Sequence, residues 1–416
     1  MFLPTLLIGA WVLPILGQER FGVLITILSL LAFLGIADLG VGASLVTSVS
    51  RALGQNDAAE LRRLHSNGLA VVCAVAVVLL LAAMGVAASD AGSHIFPSSR
   101  LEVRNEATRA LAMFLGLFAL TLPLSVVARI QLAMRRGHVA NLWQIAAALI
   151  NFAAGALAAR AGLEIAWIVA GLLLGTLVCG LANVAGHYRK DPQLKARVGD
   201  FSRPAVRAIL RESSFFLALQ VIFTVAYAAD TLIVAHRLGA TEASVYGLAE
   251  RLFSIVAVAV SVITAPLWAA YGEALGAADG AWVARVLRRS TTRLLAAAAV
   301  LVGLLLASLH QVVDLLSAHQ LVVPFAVAAA MGLWRVIEAA GSSVSAFMYA
   351  NRSVGVVLAL GTLTALVSFV AKVVLVGRFG MIAMPLVMSA TYLLLCLLPT
   401  LFYLRRAMPG LRAAER

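Results

Sequence analysis

Long apolar runs alternate with short polar connections along almost the whole chain. Since roughly 20 apolar residues cross a bilayer as a helix, each run predicts one membrane-spanning helix. The first run is short and lacks the cationic start and cleavage site of a signal peptide. We therefore expect a first helix that begins in the interface, or a chain that starts downstream of its natural beginning. The pattern predicts twelve helices, over residues 1–17, 21–49, 67–88, 108–133, 139–159, 165–186, 212–235, 242–272, 291–312, 321–349, 354–376 and 379–404.

The two halves of the chain carry the same landmarks in the same register. Six predicted helices separate the copies, so both copies enter the membrane with the same orientation. This indicates two related six-helix bundles, arranged about a pseudo-two-fold axis along the membrane normal with a substrate path at their interface. Four pairs of residues stand 222 positions apart: Gly17 and Gly239, Gly54 and Gly276, Asp57 and Asp279, and Arg63 and Arg285.

A basic, proline-containing segment lies between the halves. Residues 187–211 contain two prolines and seven basic residues, which predicts a cytoplasmic linker that lies partly as a surface helix. We therefore predict an N-terminal six-helix bundle over 1–186, a linker over 187–211, a C-terminal six-helix bundle over 212–404 and a cytoplasmic tail over 405–416.

Composition narrows the class to an all-α polytopic membrane protein. The chain is 62% hydrophobic and 12% charged, whereas soluble domains carry roughly 25% charged residues. The formal net charge is +13. If both termini are cytoplasmic, 21 of the 32 Lys and Arg residues fall in inner loops or the tail and 7 in outer loops, as expected for membrane proteins. These loops would meet anionic lipids, so the charge requires no nucleic-acid partner.

The sequence lacks motifs for a cofactor or for catalysis. There is no GxxxxGK[ST] phosphate-binding loop and no HExxH pair. Cys73, Cys179 and Cys396 lie inside apolar runs and read as small hydrophobic residues. The outer loops are too short for a glycosyltransferase or polymerase acting on a carrier lipid. We therefore expect that the protein binds no metal and no nucleotide cofactor and that it is not an enzyme.

One apolar run carries a continuous polar face. Run 321–349 places polar residues at steps of 3, 4, 3 and 4, which lie on one side of a helix. A charge at the bilayer centre costs at least about 2.5–3.5 kcal/mol, so such a face belongs away from lipid. Its two charged members either neutralise one another or line a hydrated cavity. The face consists of Arg335, Glu338, Ser342, Ser345 and Tyr349.

Three further runs carry polar groups, whereas runs 67–88, 165–186 and 291–312 are apolar on all sides and predict lipid-facing helices. Asp38 either serves transport or satisfies backbone groups in a helix weakened by glycine. Arg129 and Lys372 lie near helix ends, where long cationic side chains often reach the interface. The polar groups are Asp38 and Arg51 in run 21–49, Gln220, Tyr227 and Asp230 in run 212–235, and Glu250 and Arg251 in run 242–272.

The N-terminal segment carries a family likeness. LGQERFGVLITILSLLAFLGIADLGVGASL, followed by RALGQNDAAELRRL, resembles the start of bacterial polysaccharide-biosynthesis membrane proteins. These are the O-antigen and exopolysaccharide flippases of the multidrug/oligosaccharidyl-lipid/polysaccharide (MOP) exporter superfamily. The resemblance implies a V-shaped pair of bundles around a cavity that opens alternately to either side of the bacterial inner membrane. It also implies an undecaprenyl-diphosphate-linked oligosaccharide as cargo.

The resemblance suggests cationic cavity residues for the anionic head group, which we assign to Arg51, Arg129, Arg251 and Arg335. Asp230, Glu250 and Glu338 are titratable groups for coupling to an ion gradient. The expected partners are the lipid-linked oligosaccharide, anionic membrane lipids and other glycan-assembly membrane proteins. The alternatives are a cation-coupled exporter of drugs or small metabolites from the same superfamily, and a non-transporting scaffold.

Overall fold

The computed structural model describes residues 16, 19–24, 26–28, 30, 34–89, 101–317 and 321–404. The predicted tail and nearly all of the predicted first span lie outside these residues. The described part is helical almost throughout and contains no β-strand. Its helices are α1 Leu34–Ala37, α2 Val41–Gly54, α3 Ala58–Ala87, α4 Leu101–Ala133, α5 Gly137–Arg160, α6 Ile165–Lys190, α7 Arg203–Leu238, α8 Ala240–Gly276, α9 Gly280–Ala307, α10 Leu309–Ser317, α11 Phe325–Ala350, α12 Val354–Phe379 and α13 Ala383–Thr391.

Nine helical stretches in the described part are long and apolar enough to cross a membrane. The last of them, Val354–Leu404, is 51 residues long and covers two predicted runs. Ten of the twelve predicted runs therefore have a matching helix. The all-α, multi-pass fold class is confirmed.

The predicted helix over 21–49 is wrong as a continuous element. Leu39 and Gly40 have φ angles of 52° and 76°, in the left-handed region, and they separate α1 from α2. The carboxylate of Asp38 accepts hydrogen bonds from the N–H groups of Gly40 at 2.9 Å and Gly42 at 3.2 Å. Asp38 thus satisfies backbone groups freed by the break, which is one of the two roles expected for it.

The described residues form two compact units. The first comprises those of 1–49 and 57–214, and the second those of 50–56 and 215–416. Helix α7 begins in the first unit and continues into the second. The predicted boundaries of the bundles and the linker stay a prediction.

The core of the first unit is formed where α4 and α6 pack together, with Phe114, Ile168 and Val169 fully buried. Gly175 lets α6 approach α5 closely, because a Cβ there would lie 2.4 Å from the carbonyl oxygen of Ala147. The apolar window of α6 is 44% buried, against 22% for α3 and α9. The lipid-facing prediction is therefore wrong for run 165–186, whereas the low burial of α3 and α9 agrees with it.

The core of the second unit lies among α8, α9 and α11, with Phe253, Val256 and Met331 at its centre. Helix α11 is the most buried of the nine candidate spans, at 56% of its apolar window. The helix that carries the predicted polar face is therefore largely buried inside the unit.

The repeat predicted from the sequence appears as two equivalent turns. In each turn a glycine ends a helix, and the residue two positions later has a positive φ, 56° in one and 60° in the other. An aspartate then accepts a hydrogen bond at 2.9 Å from the N–H group three residues further on and caps the next helix. The turns consist of Gly54, Asn56 and Asp57, and of Gly276, Ala278 and Asp279.

The predicted linker does not form a separate surface helix. Helix α6 extends to Lys190, and α7 starts at Arg203 and continues without a break through the predicted span 212–235. Only residues 191–202 connect them, through the 3₁₀ turns Pro192–Leu194 and Val198–Asp200. The helical part of the linker is thus the first two turns of a membrane helix.

Candidate functional site

The second unit gathers charged side chains from four spanning helices into one cluster. Four of the five members were predicted from three different apolar runs. Glu250 is close enough to Asp230, Arg335 and Lys372 to interact electrostatically with all of them. We call this set the charged cluster; it consists of Asp230 on α7, Glu250 on α8, Arg335 and Glu338 on α11, and Lys372 on α12.

Asp230 and Lys372 form a buried ion pair. Nζ of Lys372 donates to both carboxylate oxygens of Asp230, at 2.6 and 2.8 Å, and the hydroxyl of Tyr246 donates to the same carboxylate at 3.3 Å. The side chain of Lys372 is 3% exposed and that of Asp230 is 8% exposed. The expectation that Lys372 reaches the interface is therefore wrong, because its ammonium is drawn to a carboxylate inside the unit.

Arg335 and Glu338 neutralise one another, as one reading of the polar face expected. Nη1 of Arg335 donates to Oε2 of Glu338 at 2.7 Å, and the arginine side chain is 6% exposed. Glu338 keeps 22% exposure. Because Glu338 neutralises the positive charge of Arg335, less of that charge is available to bind an anionic head group. The binding role of Arg335 stays a prediction.

Glu250 is the carboxylate of the charged cluster that makes no ion pair within 4 Å in the described part of the chain. It is half-buried. The cluster holds three carboxylates and two cations, and the adjacent Arg251 adds a further positive charge within electrostatic reach of Glu250. The neighbouring Arg251 is exposed, and the hydroxyls of Ser254 and Ser261 donate to carbonyls of their own helix. Arg251 and Ser261 therefore lie on the exposed side of α8.

A small cavity lies beside the buried ion pair. The volume that the centre of a water molecule can occupy in it is about 20 Å³, which is enough for about one water molecule. Tyr392, on its wall, begins a π-helix over Tyr392–Leu397, an irregularity that is frequent at functional sites. Polar side chains that line the cavity are Asp230, Thr364, Ser368, Lys372 and Tyr392.

Two other predicted residues, Asp38 and Arg129, come together in the first unit. They lie on either side of Gly42, where a Cβ would be 2.6 Å from Oδ2 of Asp38 and 2.7 Å from Nε of Arg129. Asp38 is 7% exposed, whereas Arg129 is exposed. This places an accessible guanidinium at the break between α1 and α2.

The remaining predicted residues belong to the second unit. Arg51 is half-buried in the last turn of α2, and its carbonyl oxygen would lie 2.2 Å from a Cβ at Gly276. Gln220 is half-buried, and its Oε1 has no hydrogen-bond partner in the described part of the chain. The side chain of Tyr227 lies outside the described part.

Lys372, a member of the charged cluster, and Tyr246, which donates to Asp230, were not assigned to the site from the sequence. A signal for Lys372 was present. Asp230 has no basic residue one helical turn away on either side, and a carboxylate in an apolar run needs a partner. The few cations inside other apolar runs were the candidates, and Lys372 is one of four.

The described helices and the charged cluster define a multi-pass membrane protein with charges held inside its spans. Several solved structures share its fold. A MATE transporter in complex with MaL6 matches with a TM-score of 0.85 and 15% identity, covering 99% of this chain and 93% of that one. An outward-facing multidrug resistance MATE family transporter of the MOP superfamily matches with a TM-score of 0.83, 15% identity and coverage of 99% and 92%.

A MOP superfamily transporter from Pyrococcus furiosus, whose reverse polarity of the binding pocket suggests a different function, matches with a TM-score of 0.79, 14% identity and coverage of 99% and 92%. No curated protein sequence shows a significant match. The family model described as polysaccharide biosynthesis protein matches residues 12–268. The chain belongs to this family and has the fold of MOP superfamily transporters.

Proposed function

We propose that the protein is a flippase for an undecaprenyl-diphosphate-linked oligosaccharide, an O-antigen or exopolysaccharide repeat unit. It moves this lipid from the cytoplasmic to the periplasmic leaflet of the bacterial inner membrane by alternating access. The observation that carries the proposal is a charged cluster held within the apolar spans of a member of the polysaccharide biosynthesis family. Both termini are cytoplasmic in this proposal.

The physical requirement behind the proposal is a polar route through hydrocarbon. A head group of sugars and phosphates must cross about 30 Å of hydrocarbon, and each polar group left without a partner there costs several kcal/mol. Arginine side chains bind phosphate through paired hydrogen bonds. Arg51, Arg129 and Arg251 are the proposed head-group ligands besides Arg335, and the lipid tail stays in the bilayer.

Energy coupling is assigned to the charged cluster. Asp230 is satisfied by Lys372, and Glu338 by Arg335. Glu250 makes no ion pair within 4 Å in the described part of the chain, and it is the carboxylate at which we place binding of a proton or sodium ion. Anionic membrane lipids, and other membrane proteins of glycan assembly, are the remaining proposed partners.

A second candidate function is a cation-coupled exporter of drugs or small metabolites. The three carboxylates that the charged cluster holds within the spans favour it, because buried carboxylates attract a cationic cargo or coupling ion. The two functions predict different phenotypes in a strain that lacks the protein.

The test is deletion followed by analysis of carrier-linked oligosaccharides on each side of the membrane. The flippase proposal expects loss of surface glycan and accumulation of the carrier-linked unit on the cytoplasmic side. Arg51→Ala and Arg251→Ala should each lower export without loss of protein from the membrane, whereas Arg293→Ala, on the exposed side of α9, should complement fully. Intact surface glycan with raised sensitivity to cationic dyes would instead favour the exporter.

A further inference from the structure

Three arginines line one face of the first turns of α7. Arg203, Arg207 and Arg211 stand four residues apart, so they lie about 6 Å from one another along the helix on the same side. All three are exposed. Together with Pro204 and Ala208 they line an open cavity of about 350 Å³ along this face of the helix.

The positive charge of this face is not neutralised by the protein. None of the three guanidinium groups makes a hydrogen bond or an ion pair with the described part of the chain. The two nearest carboxylates along the sequence are engaged elsewhere. Asp200 accepts from Nε of Arg62 at 2.8 Å, and Glu212 accepts from the hydroxyl of Ser48 at 3.1 Å. Like charges spaced by four residues destabilise a helix, so the face gains stability when it binds an anion.

The segment before α7 holds this face in place. Three consecutive residues of α3 anchor it through side chains that are buried in the first unit. His65 contacts the carbonyl oxygen of Leu194 at 2.8 Å through Nδ1, and the hydroxyl of Ser66 accepts from the N–H of Arg197 at 3.0 Å.

The amide of Asn67 completes the anchor. It donates to the carbonyl oxygen of Asp200 and accepts from the N–H of Ser202, both at 2.9 Å. The start of α7 is therefore fixed before any ligand arrives, which lowers the ordering cost of binding.

The chemistry of the face matches a phosphate-bearing lipid. Guanidinium groups bind phosphate oxygens in pairs, and three of them in a row match a diphosphate better than a single phosphate. Two large apolar side chains, Phe201 and Leu210, are exposed beside the arginines, at 53% and 42%. The long apolar span of α7 follows directly. A free anion would have no use for this apolar surface, whereas an isoprenoid or acyl chain would.

We propose that Arg203, Arg207 and Arg211 bind the diphosphate of an isoprenoid-linked head group and receive the cargo before it enters the transport path. This inference rests on the proposed flippase function for the identity of the lipid. The site itself is defined by the uncompensated arginines and the cavity that they line.

The test is a binding measurement on the purified full-length protein in phospholipid-free detergent micelles. The probes are undecaprenyl diphosphate, phosphatidylglycerol and inorganic pyrophosphate, each detected by native mass spectrometry. The variant R203Q/R207Q/R211Q should bind undecaprenyl diphosphate at least tenfold more weakly than the parent, because it loses the charge-assisted hydrogen bonds to phosphate. The variant R203K/R207K/R211K keeps the charge but not the paired geometry and should fall between the two.

A matched control removes the same charge elsewhere. Arg285, Arg288 and Arg289 are also exposed, near the start of α9, and do not line this cavity. The variant R285Q/R288Q/R289Q should bind undecaprenyl diphosphate within about twofold of the parent. Equal loss in both triple variants would overturn the proposal, because it would show attraction to net charge alone.

Other outcomes also decide the matter. If the glutamine variant loses only phosphatidylglycerol binding, the face binds a bilayer lipid. If pyrophosphate binds the parent as tightly as undecaprenyl diphosphate does, the face binds a free anion. Either result would overturn the proposal. If the glutamine variant does not fold, the lysine variant and Arg207→Gln alone carry the test. Intact surface glycan in the deletion strain would refute the flippase and leave the measured site standing, whereas unchanged binding by the triple variant would refute the site alone.

Discussion

The two compact units stabilise their polar interiors by different means. In the first unit, Gln131 and Asn183 join α4 to α6 through two hydrogen bonds, at 2.7 and 3.1 Å. In the second unit, the corresponding buried link is the ion pair between Lys372 and Asp230. A neutral amide pair is cheaper to bury than two charges, while a buried charge is costly as soon as its partner is lost.

The difference extends to what each unit can do chemically. In the first unit, the side-chain link between α5 and α6 is again neutral, from Asn151 to Thr176 at 2.9 Å. Its ion pairs include one at a helix end, between Arg62 and Asp200 with the arginine side chain 29% exposed, and one between Arg20 and the buried Glu106 on α4. Neutral links hold helices together but carry no charge to exchange. The charged cluster of the second unit does carry charge, so under the proposed function we expect ion coupling in the second unit.

The largest expected effect comes from removing one half of the buried ion pair. Lys372→Met leaves the carboxylate of Asp230 buried with only the hydroxyl of Tyr246 as a partner. The free energy of unfolding should fall by about 3–5 kcal/mol, measured by denaturant unfolding in mixed micelles. Surface-glycan export by the variant should fall with it.

The control for this prediction removes both charges. Asp230→Leu together with Lys372→Met should regain most of the lost stability, because a buried pair replaced by apolar residues of similar volume is often neutral. Export should stay low if the charges serve transport. A single Lys372→Met variant as stable as the parent would show that the pair is solvated, and the contrast between the units would fail.

A smaller effect is expected from the neutral pair of the first unit. Gln131→Leu leaves the amide of Asn183 buried without its partner, which should cost about 1–3 kcal/mol. The same unfolding measurement ranks it against Lys372→Met. Glycan export by this variant should follow the amount of folded protein and show no further loss. A specific transport defect at full expression would place chemistry in the first unit and break the comparison.

Local pattern in the sequence predicted the elements of this fold but not their long-range partners. The repeat of Gly54 as Gly276 and of Asp57 as Asp279 was predicted from their fixed spacing, and in the structure each of these residues acts on its own neighbours in a turn. The link from Asp230 to Lys372 joins residues 142 positions apart. Helical periodicity defines which face a residue lies on, but not which other helix that face meets.

The two wrong predictions about helices have different causes. Run 165–186 is apolar on every side, and that composition suits a lipid-facing helix as well as one packed between α4 and α5. The break at Asp38 needed the left-handed geometry of Leu39, a conformation that leucine adopts rarely. For the candidate site, the sequence identified Asp230, Glu250, Arg335 and Glu338, and the structure shows which of them are already neutralised.

The smallest expected effect comes from removing the helix cap that both units share. Asp57 and Asp279 each cap a helix through one hydrogen bond of 2.9 Å, and both are exposed. Asp57→Ala and Asp279→Ala should therefore each lower the free energy of unfolding by about 1 kcal/mol, and by similar amounts. Asp57→Asn and Asp279→Asn keep the cap and should stay near the parent. Unequal losses from the two alanine variants would show that the repeated turns share a backbone conformation but differ in what they stabilise, and would extend the contrast between the units to the turns themselves.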